Sequence, residues 1–276
     1  MAVNLAQKYS AKLDQVFTHG SYTDAFVNKN YDFDGVQTVN VYTVTTVAPS
    51  DYSRTSTGDR FGGNNELQDV VTSYKLTNDK GFKIVIDRGN YEQGALAKKA
   101  GEVMKAEMNE QVIPMIDKDR LAAAAAGATA VSQAYTKTAG KAYEDVLKMS
   151  AALDEALAPL AGRVLFVSPA EYNEIKGEIV TTMQAESYNS KLIGKGFVGE
   201  LDGVPVVKVP TSYFPAKTHA IMLHRDALLG AKQITNTRIK TDSELVDGSI
   251  LLGRFIFGSF VLNGKKKAVA SIVTTS

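Results

Sequence analysis

From Val36 to Val47 the chain reads V-Q-T-V-N-V-Y-T-V-T-T-V, with Val39, Val41, Thr43, Thr45 and Val47 at period two. β-Branched residues in strict alternation favour a pleated backbone, so this segment is expected to be a strand. The run that follows, Ala48 to Asn65, is the strongest constraint on the fold. It is built mainly from Ser, Thr, Gly, Asp and Asn, turn formers too polar to build a core of their own. The chain then returns through Leu67–Leu76 and Gly81–Ile86. These segments predict a long two-stranded excursion with a flexible tip. A hairpin alone is marginal in water, so the fold must find covering surface for it elsewhere.

The segment before the excursion has the same problem. Met1 to Asn30 is mixed and polar, with scattered Leu5, Leu13, Phe17 and Phe26. It reads as an arm, whose ordering entropy is recovered only when it lies on its own body or on another subunit.

The middle of the chain is helical. Leu96, Ala100, Val103, Met104, Met108 and Val112 recur at spacings of three and four, which predicts a helix from Tyr91 to Ile113, a rod of roughly 35 Å. Pro114 is expected to kink or end it. Leu121 and Ala122 to Ala126 carry high helix propensity, with Gly127 as the expected stop. A second helix is predicted from Lys141 to Leu157, ending at Pro159.

Next come a short apolar strand, Arg163–Val167, and the capping box Ser168-Pro-Ala-Glu171, in which Ser caps, Pro takes the first helical position and Glu reaches back. Strands are read at Gly199–Pro210, turning at Asp202-Gly203, and at Ala220–His224. The tail, from Arg238 through Leu251–Leu262 to Lys267–Val273, returns to strands expected to rejoin the lobe built on the long helix. The class is α+β.

Tests for chemistry come back empty. The 276 residues include no Cys, which excludes disulfides, thiolate metal sites and cysteine nucleophiles. Lys plus Arg (31) almost cancels Asp plus Glu (30), so no general electrostatic pull acts toward nucleic acid or anionic membrane. No apolar stretch is long enough to span a bilayer and no leader pattern opens the chain. A soluble protein that begins in a cytoplasm is expected.

Gly194-Lys-Gly-Phe-Val-Gly199 matches a dinucleotide fingerprint but precedes a strand instead of opening a helix. Asn30-Tyr-Asp-Phe-Asp-Gly35 begins like a calcium loop, yet Val41 stands where the bidentate carboxylate belongs. His224-Arg-Asp226 lacks the Asn and Asp-Phe-Gly partners of a kinase loop. Asp117 with Asp119, and Glu171 with Glu174, are read as solvated helix surface, and Lys265 to Lys267 as strand-edge protection. His19, His219 and His224 offer no shared face for zinc. No catalytic residue, cofactor site or metal site is assigned.

The order of parts is informative where single motifs are not. An arm, a β excursion with a glycine-rich tip, a long helix and a compact α/β lobe before returning strands resemble the major capsid proteins of tailed phages, which share the Hong Kong 97 fold. The resemblance lies in Ala2–Tyr9, Tyr31–Val36, Ile86–Asn90, Gly203–Pro210 and Gly253–Val261, and it spans nearly the whole chain. It implies an N-terminal arm over 1–35 and an extended β-hairpin loop over 36–80. It further implies a peripheral domain with a spine helix over 81–157 and 236–276, and an axial domain over 158–235.

The same resemblance implies a structural protein, not an enzyme, that self-assembles into pentamers and hexamers of an icosahedral phage head. The head would enclose double-stranded DNA without sequence-specific binding. Residues implied at subunit contacts are Arg54, Gly58, Arg60, Phe61, Gly62, Gly63 and Asn64 in the loop, and Leu5, Leu13 and Phe17 in the arm. Glycine and asparagine at the tip supply the compliance that rings of both five and six demand. Implied partners are a portal and a separate scaffolding protein. With only about thirty residues before the first strand, the chain either uses such a scaffold or is already a mature form. The location is the virion, after assembly in host cytoplasm, with no membrane.

Some members of the family cross-link a loop Lys to Asn. No Lys occurs between Lys29 and Lys75, so no link is expected at this tip. Three rival readings are an encapsulin-type compartment shell of the same fold, an unrecognised soluble enzyme with a ligand pocket, and another phage structural protein such as a decoration or tail component, which would not need the arm, loop and spine in this order.

Overall fold

The computed structural model describes residues 20–31, 38–44, 46–62, 66, 69–87, 100–182, 197–240 and 247–274. Its largest layer is a six-stranded mixed sheet. In chain order its strands are β4 (Ala134–Thr136), β5 (Arg163–Val167), β6 (Phe197–Leu201), β7 (Val204–Lys208), β8 (Thr218–His224) and β11 (Val269–Val273), arranged across the sheet as β4-β11-β8-β5-β7-β6. All five residues of β5 are buried, because helices cover both faces and period two sends alternate side chains to each. Val164 and Phe166 join Ile221, Leu223 and Val269 on one face, while Leu165 and Val167 join Met222, Ala270 and Ile272 on the other.

The first face is covered by α2 (Ile113–Ala130) through Leu121, Ala124, Ala125 and Ala128. The second is covered by α3 (Ala142–Glu155) through Val146, Met149 and Leu153, and by α4 (Pro169–Thr182) through Ile175. Beside this sandwich lies a three-stranded antiparallel sheet, β3 (Asn78–Asp87), β10 (Gly248–Val261) and β9 (Leu228–Lys240), with β10 in the centre. β1 (Thr38–Val44) and β2 (Asp69–Lys75) form a separate two-stranded ribbon, paired from Thr38↔Lys75 to Val44↔Asp69.

The long helix differs from expectation at both of its breakers. Its described part starts with α1 (Ala100–Glu107), passes through a π turn at Met108–Val112 and continues into α2. Over Ala100–Ala130 it is a rod of about 45 Å at ~1.5 Å per residue; Tyr91–Lys99 lie outside the described residues. Pro114 does not end it. A proline inside a helix forfeits one ladder bond and crowds the preceding turn, and here the wide π turn, with Ile113 N donating to Met108 O, stands immediately before it. Gly127 is no stop either. A Cβ there would lie 2.6 Å from Val261 Cγ2, so this glycine lets the helix lie against β10.

The tail strands divide. β10 joins β3 and β9, but β11 leaves them and pairs antiparallel with β8 and parallel with β4 inside the six-stranded sheet. Its apolar residues alternate between two helix-covered faces, a burial that the three-stranded sheet could not offer. The expected turn at Asp202-Gly203 closes β6 onto β7, both residues having positive φ (53° and 73°), the twist-matched geometry of a two-residue hairpin.

Candidate inter-subunit surfaces

The ribbon's two faces have different fates. At its root, Tyr74 and Leu76 are buried and Val41 partly so, against Leu229, Ala231, Phe260 and Leu262 of the body. The Tyr74 ring lies 5.5 Å from Phe260, and its hydroxyl accepts a bond from Asn263 N at 2.9 Å. On the opposite face, Asn40 and Ser73 form a polar rung in which Ser73 Oγ donates to Asn40 Oδ1 at 2.7 Å. The next rung, Tyr42↔Val71, is apolar and exposed, Tyr42 by 67%.

Beyond the ribbon, the tip is held by its own polar groups. Ser53 N donates to Arg60 O at 3.1 Å, Ser50 Oγ to Phe61 O at 2.6 Å and Phe61 N to Asp59 Oδ1 at 3.0 Å. Arg60 Nε is spent on Ser56 O at 3.2 Å. Gly62 has a φ of +91°, and a Cβ there would lie 2.5 Å from Ser50 Oγ, so this position requires glycine. Gly58 has open space around it. Tyr52 and Phe61 meet edge to face at 5.0 Å, yet Phe61 stays 80% exposed. Of the tip residues singled out in the sequence, the structure brings Arg60, Phe61 and Gly62 into this one turn. Arg54 stands exposed nearby, and Gly63 and Asn64 lie outside the described residues.

The arm's Leu5, Leu13 and Phe17 also lie outside the described residues. From Gly20 to Tyr31 the arm lies on its own body. Asp117 of α2 takes Ser21 Oγ at 2.6 Å, Tyr22 N at 2.9 Å and the Thr23 hydroxyl. Arg120 donates to Thr23 Oγ1 at 3.0 Å and to Asp24 Oδ1 at 3.1 Å. Asn28 then bridges β9, its N donating to Leu228 O at 2.8 Å. Burial, with Tyr213 and Asp117 nearby, pushes the Tyr22 phenol up to about 12.

Asp117 corrects the sequence reading, which placed it on solvated surface; it is fully buried. A signal existed. Asp117, Arg120, Leu121, Ala124 and Ala128 form one stripe at helical spacing, so two charges sit in the row that faces the core. Glu171 is corrected likewise. Ser168 Oγ does cap Glu171 N at 3.3 Å, but Ser168 N donates to His219 O. The Glu171 carboxylate turns instead to Lys137 Nζ at 2.6 Å. Burial works against the Lys137 charge, yet Glu171 and Glu174 together hold its pKa above the usual value.

Among the described residues no group of three or more His, Asp or Glu is placed to hold a metal ion, and no helix is long and apolar enough to cross a membrane. Gly194 to Gly196 lie outside the described residues, and β6 follows them, as a dinucleotide loop would not allow.

A family model described as phage capsid protein matches residues 96–272. Among solved structures, the capsid of the cyanophage P-SCSP1u is 12% identical with a TM-score of 0.72, covering 99% of this chain and 94% of that one. The mature capsid of bacteriophage PhiM1 is 12% identical with a TM-score of 0.71, covering 98% and 92%. A chain of Mycobacterium phage Che8 is 17% identical with a TM-score of 0.68, covering 98% of each. At such identities the likeness is one of fold, and the mixed architecture is that of the Hong Kong 97-like capsids. No curated protein matches.

Proposed function

The chain belongs to the phage capsid protein family, as a structural major capsid protein that forms the head shell of the virion, and from that premise we propose that its copies close into the pentamers and hexamers of an icosahedral head. The observation that carries this reading is the ribbon: two strands and a tip whose aromatic residues Tyr42, Tyr52 and Phe61 gain little cover from their own chain. Exposed aromatic surface of this kind is stabilised by association. Arg54, Gly58, Arg60, Phe61, Gly62, Gly63 and Asn64 are assigned to the contact with a neighbouring copy, and Leu5, Leu13 and Phe17 to contacts of the arm.

In this reading 1–35 is the arm, 36–80 the extended loop, 81–157 with 236–276 the peripheral domain, and 158–235 the axial domain, to whose sheet β4 and β11 are lent. The ribbon and arm absorb the difference in angle between rings of five and six, while the helix-covered sheet stays rigid. Many modest contacts then add up around a closed shell. The shell forms in host cytoplasm with a separate scaffolding protein and a portal. It encloses double-stranded DNA without reading its sequence, consistent with a net charge of +1.

Negative-stain microscopy of the expressed chain, alone and with the scaffolding protein, tests the proposal. Closed shells containing both five- and six-fold vertices are expected. Only monomers or dimers under both conditions would overturn it.

A further inference from the structure

The connection from α3 to β5, Ala156-Leu-Ala-Pro-Leu-Ala-Gly162, contains no charged residue. It opens with a Schellman turn: Ala158 N donates to Leu153 O at 3.0 Å and Leu157 N to Asp154 O at 2.8 Å. The residue after the cap in such a turn takes a left-handed conformation and is usually Gly, because a Cβ is disfavoured there. Here it is Leu157, with a φ of 55°, and its side chain is 89% exposed. The chain thus holds a leucine in a disfavoured backbone state and gains almost no burial from it. Leu160, also exposed, follows three residues on in the same loop and leans toward the β6–β7 turn, where a Cβ on Gly203 would lie 3.6 Å from Leu160 Cδ2.

This loop is held stiffly. The buried Arg163 guanidinium donates from Nη2 to Asp154 Oδ1 at 2.6 Å and to Ala158 O at 2.5 Å, and from Nε to Pro159 O at 3.2 Å. His224 Nε2 bonds Ala161 O at 3.0 Å, and Arg225 N bonds Gly162 O at 2.9 Å. Ordering cost has therefore been met before any partner arrives, as in a preorganised binding surface.

We infer that Leu157 and Leu160 form a rigid apolar knob that docks on a second copy of this chain, a subunit contact separate from the ribbon and the arm. The partner follows from the shell, in which copies of this chain adjoin, and the loop's own seven residues bring no charge of their own to such a contact. The inference rests on the assembly proposed above, because a shell of this chain puts such copies side by side.

Leu157→Gly is the decisive variant, since it relieves the backbone and removes the side chain together. The isolated subunit is expected to melt at the same or a higher temperature, while the subunit concentration needed for particles rises at least tenfold. Leu157→Asp is expected to prevent particles where the native chain forms them. The chain has no Cys, so the single thiol of Leu157→Cys reports directly: maleimide should label it readily in free subunits and slowly in particles. Particles from Leu157→Gly at the native concentration, or equal labelling in both states, would overturn the knob and leave the shell intact. A native chain that stays monomeric at every concentration, with and without the scaffolding protein, would overturn the shell proposal and this contact together.

Discussion

The six-stranded sheet and the β1–β2 ribbon are made from similar residues, yet they obtain their stability in different places. In β5 and β8, Val164 to Val167 and Ala220 to Leu223 are sealed between helices of the same chain. In the ribbon, Tyr42 and Val71 pair across the strands and then face outward, and the tip beyond them is tied by serine and aspartate hydrogen bonds. A sheet that is covered on both sides belongs to the subunit. A ribbon covered only at its root leaves apolar surface in solvent, the surface assigned above by proposal to a neighbouring copy.

Substitutions separate the two. Phe166→Ala removes a fully buried ring from the sheet and should cost about 3–5 kcal/mol in urea unfolding of the subunit. Asp117→Ala should come close, about 3 kcal/mol or more, because it strips the arm of three hydrogen bonds and leaves Arg120 buried beside an empty site. Limited proteolysis should then cut between Gly20 and Tyr31 well before global unfolding.

A smaller effect is set by pH. The unfolded chain ionises Tyr22 near 10, whereas the folded one holds the proton to about 12. Stability from this group is therefore whole below pH 10 and is lost as pH climbs from 10 to 12. Tyr22→Phe should flatten that part of the stability–pH curve relative to the native chain. Phe61→Ala should matter least to the subunit, within about 0.5 kcal/mol, because the ring is mostly in solvent. Its effect belongs to particles, whose yield should fall at equal subunit concentration. Equal losses of subunit stability for Phe166→Ala and Phe61→Ala would erase the contrast between sheet and ribbon. Detergent gels of boiled particles should also show single-subunit bands without covalent ladders, as a tip lacking lysine requires.

Local signals carried much of this fold. The alternation through Val41 and Thr43 marked β1, Asp202-Gly203 marked the β6–β7 hairpin, and Ser168-Pro169 marked the start of α4. Each depends on neighbours a few residues away, where backbone preference and side-chain period decide the outcome. The exposure of the described tip residues was legible for the same reason, since a sequence of that polarity has little to bury. Signals that needed a distant partner were misread. Asp117 and Glu171 looked like ordinary helix surface because the groups that hold them, Ser21 to Thr23 and Lys137, lie far along the chain.

By itself the sequence determined the kinds of elements, their order and the presence of segments that seek cover outside themselves. Only the tertiary structure decided that Gly127 lets a helix lie against β10 and does not end it, that β11 completes the six-stranded sheet, and that Leu157 stands exposed on a braced turn. The physical reason is range. Propensity and periodicity act over one or two turns of chain, whereas close approach, burial and charge pairing depend on which remote surfaces the fold brings together.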